Sequence, residues 1–133
     1  KIALHLGLEE GEIFGERDLL LSVLVNLLDN SRKAVRTGGR IQILGRNYGK
    51  TYELCISDNG CGMDAGESQR ITEAFYMIDK SRARREGGAG LGMTLCSRIL
   101  ALHHVRWKIF SKPGKGTVIV IRFHCEREAT DDE

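Results

Sequence analysis

The chain of 133 residues has no long hydrophobic run and no excess of charge of one sign. Its longest apolar stretch, residues 19–28, contains Ser22 and Asn26 and falls short of the roughly 20 residues that span a bilayer. The formal net charge of +2 gives no reason to expect binding to nucleic acid or to an anionic membrane. The chain starts at Lys1 without a signal peptide and reads as a piece of a longer protein. We expect a monomeric domain that is not inserted in a membrane.

Cysteine is too scattered to form a disulfide framework or a zinc site. The four cysteines show no C-x-x-C spacing, and Cys55, Cys96 and Cys125 fall among apolar residues. These three cysteines are therefore expected to be buried as small hydrophobic residues. Unpaired cysteines favour a reducing, cytoplasmic compartment for the protein. The length and a hydrophobic content of 41% suit one globular domain. We expect it to cover residues 1–127, followed by a disordered acidic tail at residues 128–133.

Hydrophobic periodicity and glycine punctuation predict an α+β domain. Strands are expected at residues 1–6, 12–14, 40–47, 51–58, 105–111 and 117–125. Helices are expected at residues 16–36, 66–75 and 91–103, with a basic loop at residues 76–88. Strands and helices do not alternate strictly, so the prediction is a two-layer α/β sandwich. Its sheet is mixed and mostly antiparallel, with the helices on one face.

The first predicted helix carries two asparagines and a lysine on one face. At 100° per residue, Asn26, Asn30 and Lys33 lie within roughly 60° of one another. Asparagine is a poor helix former, and a buried amide needs hydrogen-bond partners. The pair is either bonded to neighbouring backbone in the core or forms a polar strip facing a ligand. In the second case, amide oxygens would coordinate a hard cation and the lysine would meet phosphate.

Asp58 ends a predicted strand and is followed by Gly60 and Gly62. One interpretation is an Asx-type turn in which glycine supplies a positive φ. The other is that the carboxylate accepts a hydrogen bond from a flat ring that bears an amine, such as adenine, next to backbone that lacks side chains.

A second glycine cluster, residues 88–92, opens the last predicted helix. Free N–H groups and the positive end of the helix dipole favour phosphate at such a position. The preceding basic run contains Lys80, Arg82, Arg84 and Arg85. These side chains either belong to a solvated loop or face phosphate.

Taken in order, the motifs resemble the boxes of the GHKL, or Bergerat-fold, ATP-binding domains. The chain most resembles the catalytic ATP-binding domain of bacterial sensor histidine kinases, over nearly its whole length. The motifs are the helix from Asn26 to Lys33, Asp58-x-Gly60-x-Gly62, Phe75-Tyr76, Asp79-Lys80-Ser81-Arg82, Gly88-x-Gly90-x-Gly92 and Gly116-Thr117. Each motif alone is weak, whereas the ordered set is specific.

The resemblance implies a site for ATP and Mg²⁺. The implied ATP-binding residues are Asn26, Asn30, Lys33, Asp58, Gly60, Gly62, Tyr76, Lys80, Arg82, Gly88, Gly90, Leu91, Gly92 and Thr117. Within this set, Asn30 is expected to hold the metal and Asp58 to recognise adenine. Asn26, Lys80 and Arg82 are expected to be catalytic.

Two positions depart from the family pattern. Ala34 stands where many of these kinases carry an aromatic residue, and Thr72 stands where a phenylalanine is usual. Neither departure removes a charge that phosphoryl transfer needs.

Position 26 distinguishes the subclasses of the superfamily. The resemblance implies a glutamate four residues before the metal-binding asparagine in ATP-hydrolysing clamps and serine kinases, where it serves as general base. Asn26 cannot take up a proton at neutral pH, whereas an acceptor imidazole is already nucleophilic. The sequence therefore predicts a histidine kinase, and the alternatives are a clamp or serine kinase or a nucleotide-binding module without catalytic output.

The expected phosphoacceptor lies outside this chain. None of the four histidines, His5, His103, His104 and His124, falls in a long dimerising helix followed by an acidic residue. The chain is therefore expected not to phosphorylate itself. The implied partner is a dimerisation and phosphoacceptor domain upstream of Lys1, and a response regulator is the indirect partner.

Overall fold

A computed structural model describes residues 1–62 and 89–126 and, for residues 89–92, the backbone alone. Within these ranges the elements are β1 (Ala3–Leu8), α1 (Arg17–Ala34), β2 (Arg40–Asn47), β3 (Thr51–Asp58), α2 (Ala89–Leu102), β4 (Arg106–Lys112) and β5 (Gly116–His124). The predicted helix at 66–75, the basic loop at 76–88 and the predicted tail at 128–133 lie outside the described residues.

The strands form one five-stranded sheet in the order β1-β2-β3-β5-β4. β1 and β2 are parallel and are joined through α1, because a parallel pair needs a long crossover connection. The other three strand pairs are antiparallel. The predicted mixed, mostly antiparallel sheet is confirmed.

The core lies between the sheet and the two described helices. Ile43, Ile56 and Ile119 stand opposite one another on three neighbouring strands, and all three are buried. α1 faces them with Leu20 and Val23 and with other residues of the same stripe, as the helical period requires. The two described helices therefore cover one face of the sheet, as predicted. Neither described helix is long and apolar enough to cross a membrane.

The four cysteines are free. Cys96 is fully buried in α2, and its Sγ lies 3.6 Å from the Val23 carbonyl oxygen of α1. Burial raises the pKa of this thiol to about 12, because the thiolate is disfavoured away from water. Cys55 and Cys125 are only partly buried. The expected burial is thus complete for Cys96 alone.

One predicted strand is wrong: residues 12–14 form none. The Phe14 N–H donates to the His124 carbonyl at 2.7 Å, a single bond where a strand needs a ladder. β2 and β3 have the predicted bounds, and the boundaries of the other described elements shift by one or two residues. α1 ends at Ala34 because Val35 is extended, with φ −91° and ψ 137°.

Candidate functional site

Asp58 is the last residue of β3 and lies in the middle of the sheet. The strand register places it between Ile41 of β2 and Thr117 of β5. Its Oδ1 accepts a hydrogen bond of 2.8 Å from the Gly60 N–H, so the predicted Asx-type turn is present. A carboxylate has about four acceptor positions, and one such bond leaves capacity for a ligand donor. The two interpretations of Asp58 are therefore compatible.

The turn after Asp58 is held between the end of α1 and the β4–β5 turn. A Cβ on Gly60 would lie 2.7 Å from the Ala34 carbonyl oxygen, and one on Gly62 would collide with the Lys112 carbonyl oxygen. Gly62 also has a φ of 72°, which side chains rarely adopt. The Cys61 N–H donates to the Ala34 carbonyl at 3.2 Å. Both glycines are required by close approach of neighbouring backbone.

Thr117, which adjoins Asp58 in the strand register, is hydrogen-bonded to Ser111, a residue that the sequence did not reveal. Ser111 Oγ donates to the Gly116 carbonyl at 2.9 Å and lies 2.9 Å from Thr117 Oγ1. Since the Ser111 proton is used by Gly116, the Thr117 hydroxyl donates to Ser111. Ser111 stands directly opposite Thr117 in the β4–β5 pair, so an assumed hairpin register would have identified it.

Asn59 is a second residue that the sequence did not reveal. Its Oδ1 accepts a 2.7 Å hydrogen bond from the Arg40 N–H at the start of β2. This bond fixes the end of β3, and with it Asp58, against the neighbouring strand.

The two asparagines of α1 have different surroundings. Asn26 Nδ2 donates to the Ser22 carbonyl at 2.9 Å, one turn earlier in the same helix. Asn30 Nδ2 is buried and has no hydrogen-bond partner among the described residues. Asn26 thus matches the interpretation of a satisfied amide, whereas Asn30 does not. A buried polar group without a partner is rare enough to indicate a ligand or water at that position.

Lys33 is paired with Asp29 of the same helix. Lys33 Nζ lies 3.0 Å from Asp29 Oδ2, and the Arg32 guanidinium lies 2.8 Å from Asp29 Oδ1. The hydrogen bonds from Arg32 and then from Lys33 lower the pKa of Asp29. Exposed pairs of this kind are weak, so Lys33 can leave Asp29 for a more highly charged anion.

The glycine cluster opens α2 as predicted. α2 begins at Ala89, which puts Gly90, Leu91 and Gly92 in its first turn, where backbone N–H groups have no partner within the helix. α2 packs against α1. The remaining predicted site residues, Tyr76, Lys80, Arg82 and Gly88, lie outside the described residues.

Residues 15–127 match the family described as histidine kinase-, DNA gyrase B- and HSP90-like ATPases. The chain belongs to this family. It is 34% identical over 116 residues to the signal transduction histidine-protein kinase BaeS of Escherichia coli K12, with 87% of this chain and 25% of BaeS covered. It is 35% identical over 112 residues to the phosphate regulon sensor protein PhoR of Pseudomonas aeruginosa PAO1, with 84% and 25% covered. The chain spans about a quarter of the length of these relatives.

Solved structures agree on the fold. The mycobacterial sensor histidine kinase MprB superimposes with a TM-score of 0.76 at 22% identity, over 96% of this chain and 84% of that one. The catalytic domain of histidine kinase ThkA superimposes with a TM-score of 0.73 at 18% identity, over 93% and 79%. The predicted resemblance to the catalytic ATP-binding domain of sensor histidine kinases is confirmed.

Proposed function

We propose that this domain binds Mg-ATP between α1, the end of β3 and the start of α2. It then donates the γ-phosphate to a histidine on a separate dimerisation and phosphoacceptor domain, within two-component signal transduction. The family match and the sensor-kinase relatives support ATP binding and the class of reaction. In this proposal Asp58, with Thr117 beside it, recognises the adenine amine.

The observation that carries the choice of reaction is the lack of a usable base on α1. Asn26 cannot accept a proton, and its amide is bonded to the helix backbone. After the first turn, Asp29 is the one carboxylate of α1, and it is paired with the Arg32 guanidinium even when Lys33 leaves. The lowered pKa of Asp29 makes it a weaker base still. Activation of water or of a serine hydroxyl requires a base on this domain, whereas a neutral imidazole is already nucleophilic and can lose its proton to a base beside the acceptor histidine.

The residues present fit a Mg²⁺ ion that arrives with the nucleotide. The described residues contain no cluster of three histidine, cysteine, aspartate or glutamate side chains that could hold a metal alone. Mg²⁺ usually takes one or two protein oxygens and completes its shell with water and substrate phosphates. Asn30 would supply the amide oxygen, and its unpartnered Nδ2 would donate to a phosphate oxygen. Bound there, the ion would neutralise charge on the β- and γ-phosphates.

In this proposal the protein mainly positions ATP and neutralises the charge of its phosphates. Lys33 leaves Asp29 for the phosphates, and Lys80 and Arg82 reach the terminal phosphate. The imidazole nitrogen of the acceptor bonds to the γ-phosphorus as the bond to the bridging oxygen breaks, and ADP leaves with the electron pair. The proton of the imidazole passes to a base beside the acceptor histidine.

The partners and compartment follow from this chemistry. The acceptor domain is placed upstream of Lys1 in the same polypeptide, and a response regulator receives the phosphate afterwards. The relatives are several times longer than this chain, which leaves room for such a domain. ATP and free cysteines both favour the cytoplasm.

The test is transfer from radiolabelled γ-phosphate ATP to the separately purified acceptor domain. We expect an acid-labile phosphohistidine on the acceptor and no label on this chain alone. Steady phosphate release without the acceptor would instead indicate a clamp-type ATPase.

Asp58→Asn replaces an acceptor by a donor that faces the adenine amine, so we expect ATP affinity to fall by more than about tenfold in calorimetry.

Asp18→Asn is the matched control, because it removes the same charge in the first turn of α1. Its ATP affinity should match that of the unaltered chain. Unchanged affinity in Asp58→Asn would refute the adenine site.

A further inference from the structure

The apolar side of β1 is exposed on the face of the sheet that carries the helices. Leu4, Leu6 and Leu8 are 59%, 56% and 56% exposed. Leu4 and Leu6 are in register with Ile41 and Ile43 of β2, which are buried on the helix side. A contiguous exposed apolar patch is a feature of interaction sites, whereas scattered exposed leucines are not.

The spacing of the helices leaves room above β1. α1 packs over β3 and against α2. Packed helices lie about 8–10 Å apart and paired strands about 4.8 Å apart, so one helix spacing matches about two strands. Because α1 lies over β3, a helix packed beside it on the β2 side would lie two strands further along the sheet, over β1. In the part of the chain that the structure describes, no helix lies there.

One flank of α1 extends the same apolar surface. Leu24 and Leu8 line a common cavity of about 840 Å³, which shows that this flank faces β1. Leu21, on the same flank, is 51% exposed. We call the surface between the two elements the β1–α1 groove. It consists of Leu4, Leu6, Leu8, Leu21, Leu24 and Leu28.

The groove has an acidic end. Glu9, Glu10 and Glu12 line the same cavity, just beyond the C-terminal end of β1, and all three are exposed. Asn47 N–H donates to the Glu9 carboxylate at 2.8 Å, which fixes that side chain in place. A partner that fills the groove is therefore expected to carry lysine or arginine at this end.

We propose that the β1–α1 groove docks an amphipathic helix of the dimerisation and phosphoacceptor domain. The inference rests on the proposed function, which supplies that domain. The six residues of β1 span about 20 Å, the length of about 13 helical residues. The basic residues of this helix lie at the acidic end of the groove.

Two observations favour this occupant. About three-quarters of BaeS lies outside the matched region, since the match covers 25% of it. The first residues of this chain lie next to the α1–β2 loop, at the Leu4 end of the groove, because the Gly38 N–H donates to the Lys1 carbonyl at 2.6 Å and Ala3 N–H to the Gly39 carbonyl at 2.9 Å. A segment that joins β1 from upstream therefore arrives at the groove.

The groove is separate from the nucleotide residues. Leu24 and Leu28 each lie roughly 160° around α1 from Asn26. A helix docked there anchors the domain without covering Asn26 or Asn30. The contact is thus one that holds the two domains together and is distinct from the encounter that transfers phosphate.

The test compares alkylation of Leu6→Cys in this chain alone and in the full-length protein. N-ethylmaleimide labelling of position 6, read by mass spectrometry, should be at least about tenfold slower in the full-length protein, because the groove is then mostly occupied. The matched control is Phe110→Cys, since Phe110 is 57% exposed on the opposite face of the sheet. Position 110 should label at the same rate in both. Leu4→Cys repeats the test.

Equal labelling of position 6 in both proteins would overturn the proposal. So would protection in the isolated chain that grows with its concentration, because the occupant would then be a second copy. The double variant Glu10→Lys, Glu12→Lys, made in the Leu6→Cys background, should restore fast labelling of position 6 in the full-length protein. Continued protection would refute the claim that basic residues of the docked helix lie at the acidic end of the groove. Labelling needs no ATP, so its outcome is independent of the kinase assay.

Discussion

At the scale of single residues, two asparagines one turn apart on α1 have different hydrogen-bond surroundings. The Asn26 amide is satisfied by Ser22, whereas the buried Asn30 Nδ2 has no described partner. A buried donor without an acceptor costs about 1–3 kcal/mol, which a bound phosphate oxygen or water would offset. Asn30 is therefore the residue whose surroundings most directly indicate a ligand.

Asp29 is predicted to compete with ATP for Lys33. Its pKa is lowered, so the carboxylate stays charged at neutral pH, and its pair with Lys33 is lost only as the pH falls through that lowered value. Asp29→Asn frees Lys33 and removes a negative charge near the phosphates. We expect Mg-ATP to bind roughly two- to fivefold more tightly in calorimetry.

Asp18→Asn again separates the effect of freeing Lys33 from the effect of a changed net charge. It removes one negative charge from α1 at a distance from Lys33. Equal tightening in both variants would show that net charge alone is responsible, and no tightening in Asp29→Asn would contradict the competition.

At the scale of elements, the turn after β3 joins three parts of the fold. Gly62 combines a positive φ with close approach to the Lys112 backbone, whereas Gly49 has a φ of 90° in open space. We expect Gly49→Ala to cost about 1 kcal/mol from backbone strain alone and Gly62→Ala at least about 2 kcal/mol. Urea unfolding of the two variants measures this difference. Equal losses would show that the turn is not clamped against the β4–β5 turn.

Elements with local signals were predicted well. The hairpin at residues 40–47 and 51–58 was found with the predicted bounds, because apolar alternation and the intervening turn both lie within that segment. The strand at residues 12–14 was wrong, because a short apolar run forms a strand only where a partner supplies a ladder. β1 was predicted from its alternation, but its apolar side is exposed and its period could not indicate this.

At the scale of the whole molecule, α1 separates two surfaces. One flank carries the asparagines next to α2, the other carries the apolar residues of the β1–α1 groove, and the stripe between them is buried in the core. The proposed nucleotide site and the proposed docking groove therefore lie on opposite flanks of the same helix.

Mg-ATP should stabilise the whole domain. A ligand present at 100 times its Kd adds about 2.7 kcal/mol, or roughly 10 °C in Tm for a domain of this size. We expect Asn30→Ala to lose most of the Mg²⁺-dependent part of this shift and to keep the smaller shift caused by ATP in EDTA. Thermal unfolding measures both, and equal losses with and without Mg²⁺ would contradict the metal role of Asn30.

The sequence by itself determined the order of the elements, the candidate site residues and the amide in place of a carboxylate at position 26. These depend on residue type and on spacing within single elements. Only the tertiary structure decided that β5 lies beside β3, so that Thr117 adjoins Asp58, and that Asn30 is the unsatisfied amide. It also showed that the leucines of β1 are exposed. Strand pairing and burial arise from contacts between distant segments, and local periodicity shows which face is apolar but not what covers it.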